Sequence, residues 1–267
     1  MTMVLSATMV NVAIPSIMGA FGIGQHIAQW AATSFLATMV ASQLLNNWMI
    51  EAFGQKLVFC TALSIFSLGA FVCASSLNIE MLVAGRILQG FSAGIIQPLV
   101  LATIITVFPA NRRGFAVGMY GMGVTLAPSF GPWIGGLAID ALTWRHIFLV
   151  VLPLVFIALC FGLAFMPSKK LNKTTPDFDW VGYTLVALAI LFFISVIGNG
   201  QRWGWNSDWT LLFLLAALAS SSAFIYSQLK SRNPILDPTL FLNSQFTSAM
   251  LIAFAFGAGN FATNYAI

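Results

Sequence analysis

Charge is scarce in this chain. Of its 267 residues only 7% are Asp, Glu, Lys or Arg, against about 25% in ordinary soluble domains, which excludes a charged, water-facing surface over most of its length. Histidine and cysteine are scarce too, at two and three residues. Cys60, Cys73 and Cys160 are odd in number and lie in apolar runs without CxxC or Cys/His spacing. They read as packing thiols rather than a disulfide framework. His26 and His146 have no second ligand at metal spacing, so no metal site is expected. There is no GxxxxGK[ST] nucleotide loop and no nucleophile elbow, which argues against a built-in ATPase or hydrolase. With no cluster of His, Asp or Cys, an integral membrane enzyme is not expected. The polar/apolar alternation of a membrane β-barrel is missing, as are the basic start and small-residue cleavage site of a signal peptide.

What the chain does have is apolar. Hydrophobic residues make up 59% of it, with 24 phenylalanines, and the mean hydropathy is +0.92. The fold class expected is an all-α polytopic membrane protein with the lipid bilayer as solvent. The net charge is +4 and the pI near 9.2, but the cations are spread over short loops rather than one face, so no nucleic-acid partner is expected.

Apolar segments recur at 1–21, 27–50, 57–76, 80–107, 114–139, 145–166, 180–198, 208–229 and 246–267. Each approaches the roughly 20 residues that cross a bilayer. If the first runs outward from the cytoplasm, Lys56, Arg112, Arg113, Lys169, Lys170, Lys173, Lys230 and Arg232 lie inside and only Arg145 and Arg202 outside. That asymmetry orients the N-terminus to the cytoplasm. Trp30, Trp48, Trp144, Trp180, Trp203, Trp205 and Trp209 fall near span ends, where amphipathic rings favour the interface. The polar stretch 168–179 divides a six-span unit, 1–167, from two further spans in 180–229, and 230–267 holds a loop and a ninth span. Met1 falls inside the first span and the chain stops in an apolar run, so a fragment is expected.

Two places break the apolar monotony. The stretch 127–136 carries Pro128, Gly131, Pro132, Gly135 and Gly136 inside the fifth span. Gly123, Ala127, Gly131 and Gly135 recur every fourth residue, lining one helix face for close approach by another helix. Trp133, beside them, serves either as packing or as a plug. The second place is Arg86, the one ionisable residue well inside a span, followed by Gln89 and Gly90. A charge there faces a cavity or partner in a proton-relay or gating role, or else snorkels to the outer interface. In the first span Thr8, Asn11 and Pro15 stand out. Asn11 with Pro15 either kinks the helix to open a carbonyl to a cavity or joins helices by hydrogen bonding.

Arg86-xx-Gln89-Gly90 and the 127–136 stretch resemble two signature motifs of the major facilitator superfamily, the second its antiporter motif. Thr8 to Pro15, Trp30 to Phe35, Phe108-Pro109, Arg113-Gly114, Trp144 to Phe148 and Asp179 to Gly182 are similar, in order and spacing, to the fourteen-helix drug/proton antiporters of the EmrB/QacA type. The resemblance implies the N-terminal six-helix bundle, two linker helices and the start of a second bundle. It implies energy from a proton gradient, with no cofactor. It also implies export of small amphipathic or cationic drug-like compounds through the bacterial inner membrane, and a periplasmic adaptor and outer-membrane channel as partners, as in some family members.

Two positions depart from the family pattern. Ser6 stands where an aspartate usually precedes Thr8 by two residues. The loop after the second span keeps only Glu51, Gly54 and Lys56 of the usual charge network. Glu51 is expected either to pair with Arg112 or Arg113 across the cytoplasmic gate or to be solvated. Two functions stay open at this point: a proton-coupled multidrug efflux transporter present in part, and a truncated, non-transporting membrane paralogue.

Overall fold

The computed structural model describes residues 1–166, 168, 177–231 and 234–266, and these are helical with no strand among them. Lys169, Lys170, Lys173 and Arg232, four of the cations assigned to the inner side, lie outside the described residues, as does the side chain of Arg202. Seven helices among the described residues are long and apolar enough to cross a membrane. The chain is therefore a multi-pass membrane protein.

It divides into two compact units, one of residues Met1–Pro176 with Ile194–Trp205 and one of Asp177–Phe193 with Asn206–Ile267. The first unit opens with α1 (Thr2–Phe21). That helix stops at Gly22, whose left-handed φ of 64° lets its N–H bond back to the Met18 carbonyl, an end that favours glycine for want of a Cβ.

The expected second span is not one helix. It is cut into α2 (Gln25–Ala28), α3 (Trp30–Gln43) and α4 (Asn46–Phe53). The cut at Leu44-Leu45 holds neither Gly nor Pro. Instead the Ser42 hydroxyl donates to Met39 O at 3.1 Å, the Leu45 N–H turns back to Ser42 O, and the Asn46 amide donates to Ile95 O on another helix. Side chains that bond the backbone compete with the helix ladder at this point.

Gly54, at φ 81°, ends α4 and begins α5 (Gln55–Ala74). Next comes α6 (Ile79–Val107), capped by the Asn78 side chain accepting from Met81 N–H at 2.9 Å, with Glu80 in its first turn. Both suit the positive end of a helix. Helix α7 (Arg113–Ala141) runs unbroken through Pro128 and Pro132. A 3-10 turn at Trp144–Phe148 leads into α8 (Leu152–Phe165), the two together making the sixth span.

Helix α6 packs against α5 and against α3, while α1 packs against α7. Small residues set the first spacing. A Cβ on Gly69 would come within 2.7 Å of Gly85 O, and one on Gly85 within 2.9 Å of Gly69 O. One apolar core joins these helices, with Met9, Phe35, Phe66, Leu82, Leu99 and Phe148 among its buried members.

The second unit contains the first part of α9 (Trp180–Trp203), α10 (Asp208–Lys230), a 3-10 turn at Pro238–Leu242 and α11 (Ser244–Ala266). Asp179 anchors it: one carboxylate oxygen caps α9 by accepting from Gly182 N–H at 2.8 Å, the other accepts from Gln228 Nε2 at 2.7 Å. Gln228 in turn accepts from Leu236 N–H at 3.1 Å, tying the end of α10 to the chain beyond it.

Candidate functional site

Arg86 sits on α6, two turns in from its N-terminus, and is fully buried at 0% exposure. Its side chain stays inside the bundle instead of reaching the interface. Nε donates to Ala31 O at 2.8 Å, tying α6 to α3, and Nη1 donates to Gln89 Oε1 at 2.9 Å and to Ser6 Oγ at 3.3 Å. The guanidinium carbon lies 4.1 Å from the centroid of the Phe35 ring, within cation–π range. All of these partners are neutral. Nη2 makes no hydrogen bond, and neither do the equally buried Gln89 Nε2 and Ser34 Oγ.

The helix geometry explains who meets Arg86. Gln89 follows it by three residues, so both share one face of α6. On α3, Ala31, Ser34 and Phe35 share a face by the same rule. Gly90 makes the meeting close: a Cβ there would collide with Phe35 O and stand 3.0 Å from its Cα. Gly94, one turn later, is pressed in the same way against Met39 O and the Ser42 hydroxyl. From α5, the Cys73 thiol lies 3.8 Å from Gln89 Oε1 and 3.6 Å from Leu82 O. Cys73 is thus a packed core thiol, while Cys160 is exposed and Cys60 half-buried.

The glycine-rich face of α7 meets α1. Ala127, Gly131 and Gly135 are buried. A Cβ on Gly131 would run into the Thr8 hydroxyl and come within 2.9 Å of Thr8 Cβ, and one on Gly135 would touch Met9 at 3.4 Å. Thr8 turns its hydroxyl to its own helix, donating to Leu5 O at 3.0 Å. The face is shorter than the spacing implies, because Gly123 has open space where a Cβ would stand, and Gly136, off that face, has the same. Pro132 and Trp133 are exposed, Trp133 at 64%. Asn11 and Pro15 lie on an exposed face of α1, apart from Thr8.

At the expected cytoplasmic end, Glu51 accepts from Asn47 Nδ2 at 3.2 Å, one turn earlier on α4. Arg113 donates to Phe108 O at 3.1 Å, and Arg112 is the residue before α7. The expected pair between Glu51 and one of these arginines is not among the contacts of the described residues. Gly54 and Lys56 line a cleft of about 280 Å³ with Phe53, Leu57, Cys60, Leu163 and Ser168.

Sequence reasoning missed a second arginine tie. Arg145 Nη2 donates to the carbonyl of buried Ser76 at 3.0 Å, and its guanidinium covers the Trp144 ring at 4.5 Å. Trp144 was expected at the lipid interface, but only 6% of it is exposed. Its ring packs edge-on against Phe21 at 5.5 Å and Phe148 at 6.4 Å. The signal available was the run Trp144 to Phe148 itself, whose five residues form a single turn. No group of three or more His, Cys, Asp or Glu able to hold a metal occurs among the described residues.

Residues 1–267 match the model of the Major Facilitator Superfamily, and the chain belongs to that family. It is 33% identical over 251 residues to the uncharacterized MFS-type transporter YcnB of Bacillus subtilis, covering 93% of this chain and 52% of that protein. Lincomycin resistance protein LmrB of Listeria monocytogenes is 30% identical over 93% of this chain and 53% of its own length. The probable multidrug resistance protein EmrY of Escherichia coli is 29% identical over 91% and 48%. The chain thus spans about half the length of the curated relatives it matches. Among solved structures, the peptide transporter POT in complex with sulfate superposes with a TM-score of 0.59 at 16% identity, over 86% of this chain and 51% of that one. The human organic anion transporter MFSD10 does so at 0.53 and 15%, over 85% and 69%. These likenesses show the fold.

Proposed function

We propose that this chain forms the N-terminal part of a proton-coupled multidrug efflux transporter, a secondary transporter that exports small amphipathic or cationic compounds without covalent chemistry or cofactor. The observation that carries the reading is Arg86, a buried charge held on α6 by the backbone of α3 and by Gln89, inside a chain whose relatives include named drug-resistance proteins. Charges at membrane depth are retained where they act on a substrate or ion path. In alternating access one bundle rocks against the other, and Arg86, with Gln89 and Gly90 setting its position and its approach to α3, serves in proton relay or substrate gating from the interior of this bundle. The α1–α7 seam, through Thr8, Ala127, Gly131 and Gly135, holds these two helices together. Glu51, Gly54, Lys56, Arg112 and Arg113 belong to the cytoplasmic gate.

The cation distribution supports a cytoplasmic N-terminus in a bacterial inner membrane, and a periplasmic adaptor with an outer-membrane channel would complete the export route. The test is Arg86→Ala in a host lacking its own drug pumps. Resistance is expected to vanish while the amount of protein in the membrane is kept, and unchanged resistance overturns the role. Green fluorescent protein fused after Lys230 should fluoresce if that loop is cytoplasmic, and a dark fusion reverses the orientation.

A further inference from the structure

Among the described residues, the interior of the six-span bundle holds a positive charge with no counter-charge among its partners. Arg86 is completely buried, and its partners are a carbonyl, a hydroxyl, an amide oxygen and an aromatic face. A guanidinium out of water is ordinarily matched by an anion, because neutral dipoles satisfy its hydrogen bonds without cancelling its field. Here even the hydrogen bonds are incomplete. Arg86 Nη2 and Gln89 Nε2 are sealed from solvent with no acceptor, and each of these amino groups carries two donor hydrogens. Ser34 Oγ, one turn beyond Ala31 on the face of α3 that meets Arg86, is also buried without a partner. Ser6 approaches Nη1 to 3.3 Å but supplies a hydroxyl dipole and no charge. Buried orphan donors in such number call for an acceptor, and beside a fixed cation the fitting acceptor is an anion. A water molecule would take up the hydrogens and leave the charge.

The structure assigns to Arg86, Gln89 and Ser34 a binding site for one small monovalent inorganic anion, with chloride as its occupant, supplying the charge that the neutral partners of Arg86 lack. Arg86 supplies the charge and the Nη2 hydrogens, Gln89 Nε2 the second donor and Ser34 the hydroxyl. The site does not rest on the efflux reading, since occupancy is read by binding and not by transport.

The chain is purified into nanodiscs of zwitterionic lipid in gluconate buffer, and chloride is titrated in at constant ionic strength. A saturable rise in Tm of about 3 °C is expected, as for a ligand that binds only the folded state, with bromide acting like chloride. Ser6→Asp, which places a carboxylate beside Nη1, should raise the chloride-free Tm and abolish the response. Ser6→Asn, polar but neutral, should keep it. Crystals grown in bromide should show an anomalous peak within hydrogen-bond distance of Arg86 Nη2, which decides the matter even if a variant fails to fold. A Tm indifferent to chloride, an equal response in Ser6→Asp, or bromide found only elsewhere overturns the site.

Discussion

Two helix pairs of the same bundle bring their backbones together over glycine, and they fill the space gained in different ways. Between α1 and α7 the contact is dry: Gly131 and Gly135 let the backbone of α7 rest on Thr8 and Met9, and the nearest hydroxyl is turned back on its own helix. Between α3 and α6, Gly90 and Gly94 allow the same closeness, yet the helices enclose a guanidinium, an amide and a hydroxyl with hydrogen bonds left over. Dispersion and close packing suffice for the first seam. The second is stabilised by charge-assisted bonds and burdened by desolvation.

Four substitutions sharpen this contrast. The largest effect is expected from Gly90→Val, because α3, pressed at Phe35, must retreat from position 90 and carry Ala31 O away from Arg86, leaving a buried charge with fewer partners. Overpacking alone costs about 1–3 kcal/mol, and the loss of folded, monodisperse protein on size-exclusion chromatography is the readout. Retention of the wild-type profile would show that α3 yields easily.

A smaller effect should come from Gly131→Ala, about 2 kcal/mol against stability, read as a lower Tm in detergent. The same change at Gly123, where a Cβ meets nothing, should be neutral or stabilise by up to about 1 kcal/mol, the helix preference for alanine. Equal effects at the two positions would mean that the dry seam is longer than the geometry shows. A destabilisation smaller than that at Gly131 is expected from Arg145→Ala, which removes the bond to Ser76 O and the cover over Trp144. A loss of about 1 kcal/mol with no change in the chloride response would separate this arginine from Arg86.

Much of the fold can be read from hydropathy alone, since a span must be long and apolar wherever it sits in the bundle. The second span shows where that reading stops. From Ile27 to Gln43 it carries no Gly, Pro or charge, and the break at Leu44-Leu45 depends on Asn46 reaching Ile95 O, a residue 49 positions away. Trp144 fails for a related reason: its ring chemistry favours the interface, but Phe21 and Phe148 cover it. In the candidate site Arg86 is conspicuous as a charge in an apolar run, and Gln89 follows from helical spacing. Ala31, Ser34, Phe35 and Ser6 are supplied by other helices, so no periodicity announces them. Gly123 and Gly131 look alike in the repeat, and only the neighbour on α1 distinguishes them.

The sequence by itself determined that the chain dissolves in lipid, how many apolar segments it offers, and that one arginine stands well inside such a segment. These are local matters, set by transfer energy and helix pitch. The tertiary structure decided which partners Arg86 found and that all of them are neutral. It also decided where the α1–α7 seam ends and that Trp144 is covered. Such outcomes depend on distances between residues far apart in the chain, which close packing fixes and composition does not.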